Sequence, residues 1–227
     1  MKRKQPVNIS TPVESGESGG KQTFRLEVFS DGVFAIAITL LVLELIATLH
    51  PHSDKPLLEA SLEHWRSFLA FVIGFITILI CWINHHVAYE YIRKVDIRLM
   101  WINGFLLFVV TLTPFPTAIF AEYLENEGGT AVAFFGFNYI LISIAAYSIC
   151  QYAYRHHLID EECREFYGAY KNTYLYAIGY TVIAFALCYV SIIIPIIMYA
   201  IMFAFFASPK MLARKIYRLK RSRTGNV

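Results

Sequence analysis

Five groups that lipid penalises sit in or beside one apolar run. The run is "RLEVFSDGVFAIAITLLVLEL", Arg25–Leu45, and the groups are Arg25, Glu27, Ser30, Asp31 and Glu44. A carboxylate at the centre of a spanning helix costs about 2.5–3.5 kcal/mol on insertion scales. Asp31 is therefore expected to face protein or water and to have a partner. Two chemistries use such groups. One is a proton or cation relay through Asp31, Glu44 and histidines. The other is a hydrogen-bonded cluster that fixes the helix in place, and the spacing favours it. The pairs His85–His86 and His156–His157 raise a third option, haem or metal ligation. Adjacent histidines project about 100° apart on a helix, so a pair cannot readily serve one metal. No HExxH, CxxC or convergent carboxylate set accompanies them. Cys81, Cys150, Cys163 and Cys188 form no motif, and three lie in apolar runs where Cys packs as a small hydrophobe. No catalytic residue, no metal and no cofactor is expected, and the chain is not read as an enzyme.

The elements that position these groups are membrane helices. Of 227 residues 57% are hydrophobic, above the roughly 45–50% of soluble domains. They cluster in runs near the roughly 20 residues a bilayer crossing needs. The expected class is an all-α integral membrane protein with six transmembrane helices. The first four spans are read at Glu27–Leu49, His64–Tyr89, Ile97–Ala121 and Thr130–Tyr154. The block Thr173–Ser208 is too long for one crossing. It is read as two short helices reversing near Ser191–Pro195, with a single broken helix as the rival. "TLTPFPTAIF" puts two prolines inside the third span, which predicts a kink or break there. Residues 1–22 read as a disordered tail without a signal peptide. Residues 23–208 are read as the six-helix membrane domain, and 209–227 as a basic tail.

Charge sets the orientation. With six spans, nearly all Lys and Arg fall on one side: the N-terminal tail, "EYIRKVDIR", "RHHLIDEECREFYGAYK" and the C-terminal tail. The positive-inside rule places both termini in the cytoplasm, here of the cell membrane. The basic C-terminal tail reads as a segment meeting anionic lipid headgroups rather than nucleic acid. No nucleic-acid partner is expected.

On a helical wheel of the first span, Phe29, Gly32, Ile36, Thr39, Leu40, Leu43 and Ala47 share one stripe. Glu44 lies at its edge. Arg25, Ser30 and Asp31 are read as pointing away from it. Partners at the same depth come from "CWINHH", with Trp82, Asn84 and His85, and from "WINGF", with Asn103. Hydrogen bonds between membrane helices average only about 0.6 kcal/mol, so such a cluster sets registry more than stability.

These residues carry a resemblance. Arg25 followed by Phe29, Ser30 and Asp31, then "GVFAIAITLLVLE", "WINHH" and "WINGFLLFVVTLTPFPT", is similar to the transmembrane protein 175 family in its single-repeat bacterial form. The likeness thins out after about residue 120. It implies a potassium-permeable channel built as a homotetramer in the lipid bilayer, with the first helix of each subunit lining the pore. "TVGYG" is absent from the family and from this chain. The resemblance assigns the constriction to Ile36, Leu40 and Leu43, with Thr39 adding a hydroxyl. It assigns the packing cluster to Arg25, Phe29, Ser30, Asp31, Trp82, Asn84, His85 and Asn103. Potassium ions would then be permeant species, not a cofactor.

Overall fold

The computed structural model describes residues 17–48 and 64–208. The expectations placed on residues 1–16, 49–63 and 209–227 lie outside them. Helix α1 spans Glu17–Thr48 and α2 spans Trp65–Tyr89. They are followed by α3 (Ile97–Thr111), α4 (Pro114–Tyr123) and α5 (Gly128–Arg155). A 3₁₀ turn at Glu161–Cys163 leads into α6 (Arg164–Leu187), and α7 (Ile193–Phe206) ends the described chain. Among the described residues four segments are long and apolar enough to cross a membrane: Gly20–Ala47, Trp65–Tyr89, Ile97–Tyr123 and Gly128–Arg155. The shorter α7 is also apolar. The chain is a multi-pass helical membrane protein.

The third span breaks where its prolines sit. Leu112 and Thr113 separate α3 from α4, and Pro114 opens α4 at a position that needs no N–H donor. The Thr113 hydroxyl accepts from Asn138 Nδ2 at 3.2 Å, so the break is anchored to α5.

Three boundaries differ from the sequence reading. The helix before the last reversal begins at Arg164, not Thr173. Its first turns, "REFYGAYKN", are too polar to read as a span. They are helical because Tyr167, Ala169 and Tyr170 bury against α5 and the α2 end. The reversal itself lies at Cys188–Ile192, slightly before the expected Ser191–Pro195. Pro195 still falls in the first turn of α7. Helix α1 likewise starts at Glu17, so residues 17–22 continue the first span as helix rather than preceding it.

Three contacts set the two ends of the bundle. The loops after α2 and α5 pair through an Ile92–Ile159 bridge, with Arg93 N–H donating to Leu158 O at 2.8 Å and Asp160 N–H to Tyr91 O at 3.1 Å. At the opposite end Arg66 meets Glu125 at 2.7 Å. There Gly129 also lets α5 approach the end of α6, since a Cβ on it would lie 2.9 Å from Cys188 O. The two basic loops thus share one side, as the six-span reading requires.

Candidate pore helix and its mount

Helix α1 has two different faces. Ser30, Phe34, Ala37 and Leu41 recur at helical spacing and are buried, Phe34 to 1% and Ala37 to 0% exposure. They pack on α2, α3 and α4. The opposite face is bare in the subunit: Ile36 is 59% and Leu43 61% exposed, and Phe29, Thr39 and Leu40 are exposed with them. This is the stripe read from the wheel. Gly32 and Ala47 are exposed on it too. The Thr39 hydroxyl donates to Ile36 O at 2.8 Å. Its hydrogen is thereby committed to the backbone, and its oxygen lone pairs face outward as acceptors.

The buried face is tied down by a chain of side-chain hydrogen bonds across three helices. Ser30 Oγ donates to Leu26 O at 2.8 Å within α1. Asn103 Nδ2 of α3 donates to Ser30 Oγ at 2.9 Å. His85 Nε2 of α2 lies 2.8 Å from Asn103 Oδ1. An amide oxygen only accepts, so the His85 tautomer carries its proton on Nε2. The His85 ring stacks on Tyr89 with centroids 4.4 Å apart and leans on Phe34 at 5.4 Å. All three polar residues are buried. A second tie runs along the edge, where Trp82 Nε1 donates to Asp31 Oδ1 at 2.8 Å.

The structure brings together Ser30, His85 and Asn103, and separately Asp31 and Trp82. It leaves three expected members elsewhere. Phe29 is exposed on the bare stripe rather than packed in the cluster. Arg25 is exposed and makes no ion pair among the described residues. It lies 18 positions before Leu43, about five full helical turns, so it projects with the stripe and not away from it. Asn84 belongs to a different joint. Its Nδ2 donates to Phe206 O at 2.9 Å, its backbone oxygen accepts from Tyr170 at 2.8 Å, and its Oδ1 accepts from Tyr174 at 3.3 Å. Successive side chains of "WINHH" therefore reach α1, α7 and α3 in turn, because neighbouring helical positions point about 100° apart.

Glu44 is half-buried beside a small hollow with Ser67, Ala70 and Thr117, on the α2 and α4 side. It lies about 20 Å along α1 from Asp31, with Phe34, Ala37 and Leu41 between them. Sequence reasoning missed several ties: Tyr170 and Tyr174 with Asn84, Thr77 with Tyr139 at 3.1 Å, and Asp96 with Tyr152 at 2.6 Å. The excess of tyrosine near span ends was the available signal, and it reads as interfacial anchoring. Among the described residues no group of three His, Cys, Asp or Glu converges as metal ligands.

The result is a multi-pass bundle with its first helix fixed along one edge and bare along the other. A family model described as the endosomal/lysosomal potassium channel TMEM175 matches residues 25–114, the segment from Arg25 to the start of α4. A potassium channel of Chamaesiphon minutus is 37% identical over 175 residues, 75% of this chain and 86% of the relative. The crystal structure of a lysosomal potassium-selective channel TMEM175 homologue from Chamaesiphon minutus superposes with a TM-score of 0.72 at 33% identity. That match covers 84% of this chain and 98% of the other. The endosomal/lysosomal proton channel TMEM175 of Gallus gallus is 34% identical over 113 residues, 45% of this chain and 23% of that protein. The chain belongs to the TMEM175 family of ion channels, which are not enzymes.

Proposed function

We infer that the chain is one subunit of a potassium-permeable channel, with the bare stripe of α1 lining the ion path. The observation that carries this reading is the division of α1 into a hydrogen-bonded buried face and an exposed apolar face. One such helix cannot enclose a pore, so several copies must surround the axis, and the family likeness supports four. Ile36, Leu40 and Leu43 then form stacked apolar rings. Rings of this kind close by dewetting, and slight widening admits water and ions. The Thr39 rings offer hydroxyl oxygens as acceptors, which favours the more easily dehydrated cation, potassium over sodium. Arg25, Ser30, Asp31, Trp82, His85 and Asn103 lie outside the constriction. Ser30, Asp31, Trp82, His85 and Asn103 act as the mount that holds the pore helix against α2 and α3. With basic loops on one side, both termini lie in the cytoplasm and the channel sits in the cell membrane.

Liposome flux tests this reading. Vesicles loaded with potassium and containing the protein should release it rapidly once a protonophore lets protons enter to balance the charge. The same vesicles loaded with sodium should release it more slowly. Equal rates for both cations, or no flux from either, would overturn the reading. A proton-conducting alternative draws on the name of the Gallus gallus relative. The separation of Asp31 from Glu44 by apolar residues argues against a relay along the packed side of α1. Current that follows a pH gradient in the absence of potassium would establish the alternative.

A further inference from the structure

Away from α1, the α5–α6 hairpin carries two cations, Lys171 and Arg155, that have no acid partner among the described residues. Lys171 lies seven positions into α6, about 10 Å past Arg164 along the helix, and is half-buried. Its ammonium sits 4.7 Å from the centre of the Tyr154 ring, a cation–π placement that orients it. Arg155, exposed in the last turn of α5, directly follows Tyr154, so the ring contact brings Lys171 to the turn that carries it. Neither makes an ion pair among the described residues. Nearby cations are already engaged. Arg164 reaches Glu161 at 3.3 Å and donates to Tyr154 O at 3.1 Å, and Arg93 pairs with Asp160 at 3.2 Å.

A second feature starts from the same residue. Leu175, Tyr176, Val182 and Ile183 are exposed along α6 beyond Lys171. Gly179 lies among them, and a Cβ added to it would meet nothing within 4 Å. From Lys171 to Ile183 this strip runs about 18 Å, close to the roughly 15 Å depth of one leaflet's hydrocarbon. Helix α6 packs on α5 and α7, which leaves this face open.

We propose that Lys171 and Arg155 hold the phosphate of an anionic phospholipid, whose acyl chain lies along the α6 strip through Leu175, Gly179 and Ile183. The two cations supply the charge that a phosphodiester compensates. The strip supplies the length of one leaflet, and the bound lipid seats the α5–α6 hairpin at the interface. This does not depend on what the channel conducts.

Native mass spectrometry of the full chain in detergent, titrated with dioleoylphosphatidylglycerol or dioleoylphosphatidylcholine, tests the site. Phosphatidylglycerol should bind more tightly than phosphatidylcholine. Lys171→Gln should weaken its first binding step about fivefold, and adding Arg155→Gln should weaken it about as much again. Lys171→Arg should retain binding, and Arg93→Gln, whose cation is already paired, should leave it unchanged. Gly179→Leu should weaken phosphatidylglycerol binding by crowding the chain, while millimolar inorganic phosphate should compete poorly. No preference for phosphatidylglycerol, an unchanged Lys171→Gln variant, or an equal loss in Arg93→Gln would overturn the headgroup site. Full competition by inorganic phosphate, or no effect of Gly179→Leu, would overturn the acyl-chain strip.

Discussion

Asn103→Leu removes the middle of the chain that joins α1, α3 and α2. The variant keeps a side chain of similar volume, so the loss is chiefly polar. Two interhelical hydrogen bonds go, from Asn103 to Ser30 and from His85 to Asn103. Each is worth about 0.6 kcal/mol on average in membrane proteins. Ser30 keeps its donation to Leu26 O, so it is not orphaned. His85 Nε2–H is left buried without an acceptor, which costs about 1–3 kcal/mol more. The sum is about 2–4 kcal/mol. Ser30→Ala leaves the His85 bond intact but strips the buried Asn103 Nδ2 of its acceptor, so it should cost somewhat less, about 1.5–3.5 kcal/mol. Reversible unfolding in mixed micelles with increasing sodium dodecyl sulfate measures both, and the double variant closes a thermodynamic cycle. A coupling of about 0.6 kcal/mol, and at most about 1.7, is expected between Ser30 and Asn103. Strict additivity, with Asn103→Leu costing under about 0.5 kcal/mol, would refute the claim that this chain mounts the pore helix.

Other outcomes follow from the same geometry. Asp31→Ala removes the acceptor of Trp82, while Asp31→Asn keeps one; the alanine variant should lower subunit folding yield, by gel filtration, before it alters ion selectivity. Gly136→Ala drives a methyl group into the Tyr199 hydroxyl between α5 and α7 and should lower thermal stability by about 1–3 kcal/mol. Asp96, at the loop before α3, is pushed up by burial but held below its ordinary value by the Tyr152 hydroxyl and the Leu99 and Arg98 amides. Its stabilising effect is present above the unfolded carboxylate value near 3.9 and is lost as pH falls through the lower folded value. Tyr152→Phe should move that acid loss to higher pH, measured by circular dichroism. Thr39→Ala should lower the potassium-to-sodium permeability ratio in bilayer recordings, and an unchanged ratio removes Thr39 from the selectivity argument.

The apolar stripe of α1 was legible because a helix repeats about every 3.6 residues, and side-chain type alone marks its faces. Depth was legible for the same reason: Ser30, His85 and Asn103 fall at one level by counting from the span ends. Direction was harder. Asn84 and His85 share a depth and a motif, yet one bonds α6 and α7 and the other α3. Nothing in "WINHH" says which neighbour lies on which side. Arg25 was misplaced because a basic residue near Asp31 invites pairing, although helical phase puts it with Leu43. The α6 start was hidden by its polar first turns, which are helical through burial of Tyr167 and Tyr170 on other helices. Contacts between elements far apart in sequence decide such cases, and periodicity carries none of them.

Planar-bilayer recording of the purified protein beside Ile36→Asn, Leu40→Asn and Leu43→Asn tests the central claim most directly. The account predicts potassium current with a reversal potential favouring potassium over sodium, and an altered conductance where an apolar ring becomes polar. Wild-type current that matches all three variants in conductance and reversal potential would contradict it.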